Sequence, residues 1–338
     1  MKKTYQLIGI ITVLAVLCCA VGYYMFFSSV THQKGIYINV DQDDTSDSVM
    51  AKFEQAVQGN RMWEFRTMTS LLGYKERIHT GHYEIEPGES VVSIVRKLRS
   101  GMQTPISLTI PSVRTVERLS AELGERLMID SSIIINTLRD SITCAAYHLD
   151  TNNIIGMFIP NTYEIYWNIP VTKLLSRMKK ESDSFWTSDR QAKAKAIGLT
   201  PQQVITLASI IDEETAVNAE KPMIAGMYIN RLKTGMPLQA DPTVKFALKR
   251  FELKRIYHEH LSVNSPFNTY RNKGLPPGPI RIPTVAGIDA VLNHANHDYL
   301  YMCAKEDFSG THNFAKTYEE HMQNAKKYAD ALNKRGIK

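Results

Sequence analysis

Residues 200–215 read TPQQVITLASIIDEET and carry the helix signal on which the fold of this chain depends. Thr200 is suited to cap a helix, Pro201 takes its first position, and Gln203 completes a capping box. The apolar residues behind this cap recur at helical spacing, which predicts one buried stripe. The stripe consists of Val204, Leu207, Ala208 and Ile211.

Three consecutive acids, Asp212, Glu213 and Glu214, close this helix. Successive residues lie about 100° apart around a helix, so Glu213 is expected to project toward solvent while its two neighbours flank the stripe. Glu214 lies on the same side of the helix as two stripe residues, which places it at the border of the core. Burial in such a position raises the pKa of a carboxyl group. This environment suits a general acid. A surface ion pair is the alternative, with Lys221 as the partner of Glu213 or Glu214.

Two polar segments further along the chain predict a ligand-binding cleft. Residues 241–243 (DPT) can open a helix, with the aspartate as N-cap, and they leave Gln239 in the preceding loop. Residues 265–280 are rich in proline and glycine, which predicts an ordered loop that lines a cleft. Within it, residues 268–270 (NTY) offer the amide, hydroxyl and aromatic groups that sugars use. A structural connector is the alternative.

The N-terminus predicts a membrane anchor. Lys2 and Lys3 precede an apolar run from Leu7 to Phe27, which is long enough for a helix that crosses a bilayer. Positive charge on this side predicts a cytoplasmic N-terminus and an exported remainder. A cleaved signal peptide is the alternative, with residues 18–20 (CCA) as its cleavage site, but the apolar run continues past it. We favour the uncleaved anchor.

The segments Ile36–Val57, Tyr83–Leu98 and Leu108–Leu123 share one pattern of a short β-like run, a turn and an amphipathic helix. Such βα modules indicate an α+β fold. The formal charge of +6 comes without a dense Lys/Arg run, so nucleic-acid binding has no support.

Cysteine and histidine spacings do not predict a metal or redox site. No CxxC motif occurs, and we expect Cys144 and Cys303 to be buried free thiols, with a disulfide as the alternative. His258 and His260 lack a third ligand at a fixed offset, so we predict no metal site there. Nucleophile-elbow, Walker A and Rossmann motifs are also missing from the sequence.

Five blocks, in order and spacing, resemble the endolytic murein transglycosylase family (MltG/YceG-like). The blocks are 207–215 (LASIIDEET), 229–232 (INRL), 238–244 (LQADPTV), 268–270 (NTY) and 274–278 (GLPPG). Residues 311–314 (THNF) look like the closing motif of the family. The resemblance spans most of residues 80–325.

This resemblance implies a lyase that cleaves MurNAc–GlcNAc β-1,4 bonds within nascent glycan strands. The new ends would be 1,6-anhydroMurNAc, and the enzyme would terminate strand elongation. The second acid of the Glu-x-Glu-Thr motif of the family falls on Glu214, the implied catalytic acid/base. Asp212 takes the place of the first acid, and Glu213 replaces a residue that is often lysine. The implied substrate-binding residues are Asn230, Gln239, Asp241, Thr243, Asn268, Thr269, Tyr270 and His312.

The resemblance also implies a domain order and a set of partners. We expect an α+β chain with a cytoplasmic tail (1–6), a transmembrane helix (7–27), a linker (28–35), a LysM-like glycan-binding module (36–125) and a catalytic domain (126–338). Glycan strands, the membrane and peptidoglycan synthases are the expected partners, and no cofactor is expected. Two other functions stay open: a lysozyme-like hydrolase that uses Glu214 with Asp212 or Asp241, and a non-catalytic scaffold.

Overall fold

The N-terminal apolar run forms one helix, α1 (Lys2–Phe27). Its segment Tyr5–Phe27 has a mean hydropathy of 2.3, with no buried residue in its most apolar window, and is able to cross a bilayer by length and composition. The computed structural model describes residues 2–57, 59, 61–253 and 255–335. The ends of the predicted cytoplasmic tail and catalytic domain, Met1 and residues 336–338, therefore lie outside the described residues.

The first of two compact units comprises Met1–Leu108, Arg126–Met128 and Tyr163–Ile169. Its first sheet pairs two strands antiparallel, with Ile36 opposite Ile85 and Val40 opposite Gly81. The elements of this part are β1 (Ile36–Val40), α2 (Ser46–Ala56), α3 (Met62–Leu71), β2 (Gly81–Ile85) and α4 (Val91–Ser100).

The core of this unit includes apolar residues of the first two predicted modules. Phe53 of α2 stacks on Phe65 of α3, with ring centroids 3.8 Å apart. Ser90 caps α4, and Gly101 ends it with a φ of 71°, which an L side chain rarely adopts. The predicted stripe of α4 is buried, namely Val91, Ile94, Val95 and Leu98.

The strand of the third predicted module has a different partner. It forms β3 (Ile106–Thr109), which pairs with β4 (Thr162–Ile165), whereas the strands of the first two modules pair with each other. The three segments therefore share a local pattern but not one common sheet. Pairing depends on residues far apart in sequence, which a local pattern does not reveal.

The second unit comprises Thr109–Glu125, Ile129–Thr162 and Pro170–Lys338. The remaining helices are α5 (Val116–Arg126), α6 (Ser131–Arg139), α7 (Ser141–Ala146), α8 (Val171–Phe185), α9 (Ser188–Ala196), α10 (Pro201–Glu214), α11 (Lys221–Thr234), α12 (Asp241–Leu248), α13 (His258–Leu261), α14 (Val285–Leu292) and α15 (Tyr318–Lys334). The last two strands, β5 (Tyr301–Ala304) and β6 (His312–Ala315), form an antiparallel pair.

Helix α10 is the central element of the second unit. Its predicted capping box is present, because Thr200 N–H donates to Oε1 of Gln203 over 2.8 Å and the Thr200 hydroxyl accepts from Gln203 N–H. The expectation of a single buried stripe was too narrow, since every residue from Val204 to Ile211 is buried. Helices α9, α11, α12 and α14 all pack on α10, so no face of its middle turns is left to solvent.

The mixed α+β class is confirmed by these elements. Cys144 is a buried free thiol, as predicted, whereas Cys303 is a free thiol that is only half-buried. His258 and His260 lie on the short helix α13, where Nδ1 of His260 accepts the N–H of Tyr257 in a local turn.

Candidate active site

Glu214 is the last residue of α10 and lines an open cleft of about 240 Å³. The helix ends there because Thr215 adopts an extended conformation, with φ −144° and ψ 139°. The Thr215 hydroxyl then accepts the N–H of Val217 over 3.1 Å, which turns the chain toward α11. The end of a buried helix thus brings one carboxyl group to the wall of the cleft.

Helix α11 supplies the hydrogen-bond partner of this carboxyl group. The hydroxyl of Tyr228 donates to Oε1 of Glu214 over 2.6 Å. Tyr228 is buried, and this burial raises its pKa well above the usual value, so it stays a hydrogen-bond donor.

The pKa of Glu214 is raised to about 7. Removal of the carboxyl group from water is the largest cause, and the negative charge of Asp241 acts in the same direction. The hydrogen bond from Tyr228 and the charges of Lys245 and Arg231 oppose the rise. A carboxyl group with this pKa can both donate and accept a proton near neutral pH.

Arg231 lies one helical turn beyond Tyr228 and also lines the cleft. It is buried, and it donates to the backbone carbonyls of Leu300 over 2.6 Å and Leu238 over 2.7 Å. Its guanidinium also lies over the ring of Tyr301, 5.5 Å from the centroid. These contacts connect the loop before α12 to the strand β5. The loop and the strand both contribute residues to the lining of the cleft.

Three predicted substrate-binding residues line the same cleft, namely Gln239, Asp241 and Tyr270. The hydroxyl of Tyr270 donates to Oδ1 of Asp241 over 2.6 Å. Gln239 has a left-handed backbone with φ 50°. Helix α12 begins at Asp241 with Ala240 as its N-cap, so the predicted N-cap was one residue late.

Three other predicted residues are buried and do not line the cleft: Thr243, Asn268 and Thr269. The hydroxyls of Thr243 and Thr269 lie 2.8 Å apart, and Thr269 also accepts the N–H of Ala240. Asn268 donates to the carbonyls of Leu261 and Val263. Thr243 and Thr269 hold the loop 265–280 against α12, and Asn268 holds it against the end of α13, so their contribution to the cleft is its shape.

The last two predicted residues differ in placement. His312 lines the cleft, and both its N–H and its Nδ1 contact Glu220, over 2.6 and 3.1 Å. Asn230 does not line the cleft, because its amide donates to the carbonyls of His297 and Tyr299. It therefore anchors the chain that leads into β5.

Asp212 points away from the cleft. Its carboxylate pairs with Lys221 over 2.7 Å, and the two side chains are 2% and 5% exposed. It also accepts the N–H of Thr284 over 2.6 Å, and Thr284 caps α14. Lys221 thus pairs with Asp212, and not with Glu213 or Glu214 as the surface-pair alternative proposed.

The expectation that Glu213 faces solvent was wrong. Its side chain is 13% exposed and accepts two hydrogen bonds from Arg114, over 2.8 and 2.9 Å. Arg281 donates a third over 3.0 Å. The reason is that the end of α10 is covered on this side as well, by segments distant in sequence.

The sequence did not single out Tyr228, Arg231 or Glu220 as site residues. Arg231 was within a quoted block, and Tyr228 precedes it by three residues, so both lie on one face of α11. The available signal was a tyrosine and an arginine one turn apart on the same helix. Among the residues that the structure describes, no three His, Cys, Asp or Glu side chains are grouped for metal binding.

The sequence profile of the YceG-like family matches residues 38–327, which is most of the chain. This chain belongs to the YceG-like family. It is 30% identical over 273 residues to an endolytic murein transglycosylase of Bacillus subtilis, with 75% of this chain and 74% of the relative aligned.

Other members of the YceG-like family share less with this chain. An endolytic murein transglycosylase of Streptococcus pneumoniae strain D39 is 25% identical over 289 residues, and the match covers only 51% of that longer protein. The crystal structure of a yceG-like protein from Listeria monocytogenes has a TM-score of 0.56 and 26% identity. That match covers 86% of this chain and 99% of the other, and it supports the mixed α+β fold.

Proposed function

We propose that this protein is an endolytic murein transglycosylase and that Glu214 is its catalytic acid/base. The observation that carries the proposal is one carboxyl group with a pKa of about 7, hydrogen-bonded by Tyr228 in an open cleft. The names of the Bacillus and Streptococcus relatives support the same activity.

In the first half of the reaction, protonated Glu214 acts as a general acid. It donates its proton to the glycosidic oxygen between MurNAc and GlcNAc while the bond from that oxygen to C1 of MurNAc breaks. GlcNAc leaves with a free 4-hydroxyl, and positive charge develops at C1. The carboxylate that Glu214 has become is stabilised by the hydroxyl of Tyr228, which donates to Oε1.

In the second half, the Glu214 carboxylate acts as a general base. It takes the proton of the MurNAc 6-hydroxyl while O6 bonds to C1 and closes the 1,6-anhydro ring. Glu214 ends protonated as it began, and no water is consumed. A single carboxyl group suffices because the nucleophile belongs to the substrate itself and is held near C1.

The predicted substrate-binding residues divide into two groups under this proposal. Those on the cleft wall contact the glycan, namely Gln239, Asp241, Tyr270 and His312. The others position the walls of the cleft through buried hydrogen bonds, namely Asn230, Thr243, Asn268 and Thr269.

A lysozyme-like hydrolase is the second candidate function, and one observation favours it. Asp241 lines the same cleft as Glu214, so it could activate a water molecule. Asp212 does not line that cleft, and its buried pair with Lys221 leaves it no such role. The hydrolase alternative therefore depends on Asp241 alone.

The remaining proposals concern the position of the enzyme. We propose that α1 is an uncleaved single-pass anchor with its N-terminus in the cytoplasm, because Lys2 and Lys3 precede the apolar run. The catalytic residues would then act outside the cytoplasm near the membrane, where synthases extend nascent strands. We propose that residues 36–125 bind glycan as a LysM-like module.

Product analysis tests the proposed reaction. Purified glycan strands are digested with the detergent-solubilised full chain, and the fragments are analysed by mass spectrometry. The proposal predicts internal cleavage with 1,6-anhydroMurNAc ends, which are lighter than hydrolysed ends by one water. Reducing MurNAc ends would support the hydrolase, and a lack of any fragments would support a non-catalytic scaffold.

A further inference from the structure

A second concave surface of the same unit lies on the other side of the last turn of α10. Hollows of about 290, 420 and 30 Å³ share Arg114 and Phe251 in their walls and so form one groove. We call it the basic groove because its lining contains six cationic side chains. They are Arg114, Arg118, Arg139, Lys245, Lys249 and Arg281.

Positive charge is in excess in the basic groove. Among the described residues, two carboxylates line it: Glu117 pairs with Arg139, and Glu213 is shared by two guanidinium groups. Arg118 pairs with Glu122 of the same helix, whereas Lys245 and Lys249 form no ion pair with a described carboxylate. The groove can therefore accept a ligand with more than one negative charge.

Glu213 holds the inner end of the basic groove in place. Its single carboxylate accepts from both Arg114 and Arg281, so the two guanidinium groups are fixed side by side. Arg114 also lies over the ring of Phe251, 5.3 Å from the centroid. A fixed guanidinium against an aromatic ring provides a charged contact and an apolar contact next to each other.

The basic groove and the cleft of Glu214 are lined by neighbouring residues of the same two helices, α10 and α12. Glu213 lines the groove and Glu214 lines the cleft, and their Cα atoms are about 3.8 Å apart as neighbours in the chain. Helix α12 forms part of both, since Asp241 lines the cleft and Lys245, one turn later, lines the groove. A chain that branches from a sugar at Glu214 can therefore continue into the groove.

We infer that the basic groove binds the peptide stem of the MurNAc unit that is cleaved, an inference that rests on the proposed function. Stem peptides combine free carboxylates with alanine methyl groups, which match the cationic side chains of the groove and the rings of Phe246, Phe251 and Phe267 in its lining. Four extended residues reach about 13 Å, enough to extend from the sugar into the groove. The groove thereby selects strands that still carry their stems.

The test compares strands that carry stems with strands from which an amidase has removed them. The variant is Arg118→Gln with Lys249→Gln, two exposed cations outside the cleft. The matched control is Lys179→Gln with Lys193→Gln, which makes the same charge change on α8 and α9. We expect the groove variant to raise KM for stem-bearing strands about fivefold, with kcat unchanged and stripped strands unaffected. Equal effects on both substrates, or none, would overturn the inference.

A binding measurement separates this inference from the proposed reaction. The Glu214→Gln protein, which is not expected to cleave, is titrated with stem-bearing and with stripped strands. Tighter binding of stem-bearing strands, lost in the groove variant but kept in the control, supports the groove even if no cleavage is ever observed. Equal affinity for both substrates contradicts it, even if the wild type proves to be a transglycosylase.

Discussion

The hydroxyl of Tyr228 lies 2.6 Å from Oε1 of Glu214 and donates a hydrogen bond to it from the neighbouring helix. This bond favours the charged carboxylate, whereas loss of water contact around Glu214 favours the neutral acid. The second effect is larger, and the pKa of Glu214 is about 7. Under the proposed mechanism, we expect the balance between these two effects to determine the pH range in which the enzyme works.

The first prediction is that Tyr228→Phe moves the alkaline limb of the pH–rate profile to higher pH. Removal of a donor that stabilises the carboxylate raises the pKa of Glu214, and the reaction begins from the protonated acid. A hydrogen bond to a charged group is worth about 1.5–3 kcal/mol, so the limb should move by about one to two pH units. The control is Tyr147→Phe, because the Tyr147 hydroxyl is hydrogen-bonded to Ser176 and the residue does not line the cleft. An unmoved limb would contradict this role of Tyr228.

The second prediction is a shift of opposite sign for Asp241→Asn. The negative charge of Asp241 raises the pKa of Glu214, so its removal should move the alkaline limb to lower pH. Mass spectrometry of the products should still find anhydro ends, because Asp241 activates no water in the proposed reaction. If Asp241→Asn is inactive and the wild-type products carry reducing ends, Asp241 acts in a hydrolytic mechanism instead.

The third prediction concerns stability. The folded-state pKa of Glu214 is raised from 4.5 to about 7, so the folded protein binds the proton more tightly than the unfolded chain. Stability contributed by the neutral acid is complete below pH 4.5 and is lost as pH rises toward 7. At pH 8, Glu214→Gln should therefore have a higher unfolding temperature than wild type, and its unfolding free energy should be larger by up to about 3 kcal/mol. At pH 4 the variant should show no such gain. Thermal melts at the two pH values measure it, and an equal difference at both would contradict the raised pKa.

The fourth prediction separates a structural from a catalytic role for Asp212. Asp212→Asn leaves Lys221 buried without its partner, which should cost about 3–5 kcal/mol of stability. The double variant Asp212→Asn with Lys221→Met should recover part of this loss, because no buried charge remains. The pH profile of the folded enzyme should stay that of wild type. A changed profile in the double variant would show that Asp212 assists the reaction.

Local sequence signals predicted the elements that depend on neighbouring residues. The capping box of Thr200 and Gln203 joins residues three apart, and the stripe of α4 repeats within one helix, so both were visible in the sequence. The partners of the acids were not, because Arg114 is 99 residues from Glu213 and Thr284 is 72 residues from Asp212. A helical wheel orders side chains around one helix but does not say what covers each face.

The candidate site was predicted only in part, because a local sequence pattern does not show which side chains face the cleft. Residue types suited to sugars were identified in the segment 268–270, but the sequence could not tell cleft-facing Tyr270 from its buried neighbour Thr269. Both lie in one loop without regular periodicity, so no repeat indicates which side chains face inward. Tyr228 was missed because its role depends on how α11 packs against α10.

The central claim is that Glu214 supplies and receives the proton, and digestion by Glu214→Gln tests it most directly. The control is Glu252→Gln, an exposed glutamate whose partner is Arg250. With folding verified by thermal melts, Glu214→Gln should release anhydro-ended fragments at least about 100-fold more slowly than wild type, whereas Glu252→Gln should match it. Wild-type rates from Glu214→Gln would contradict the account.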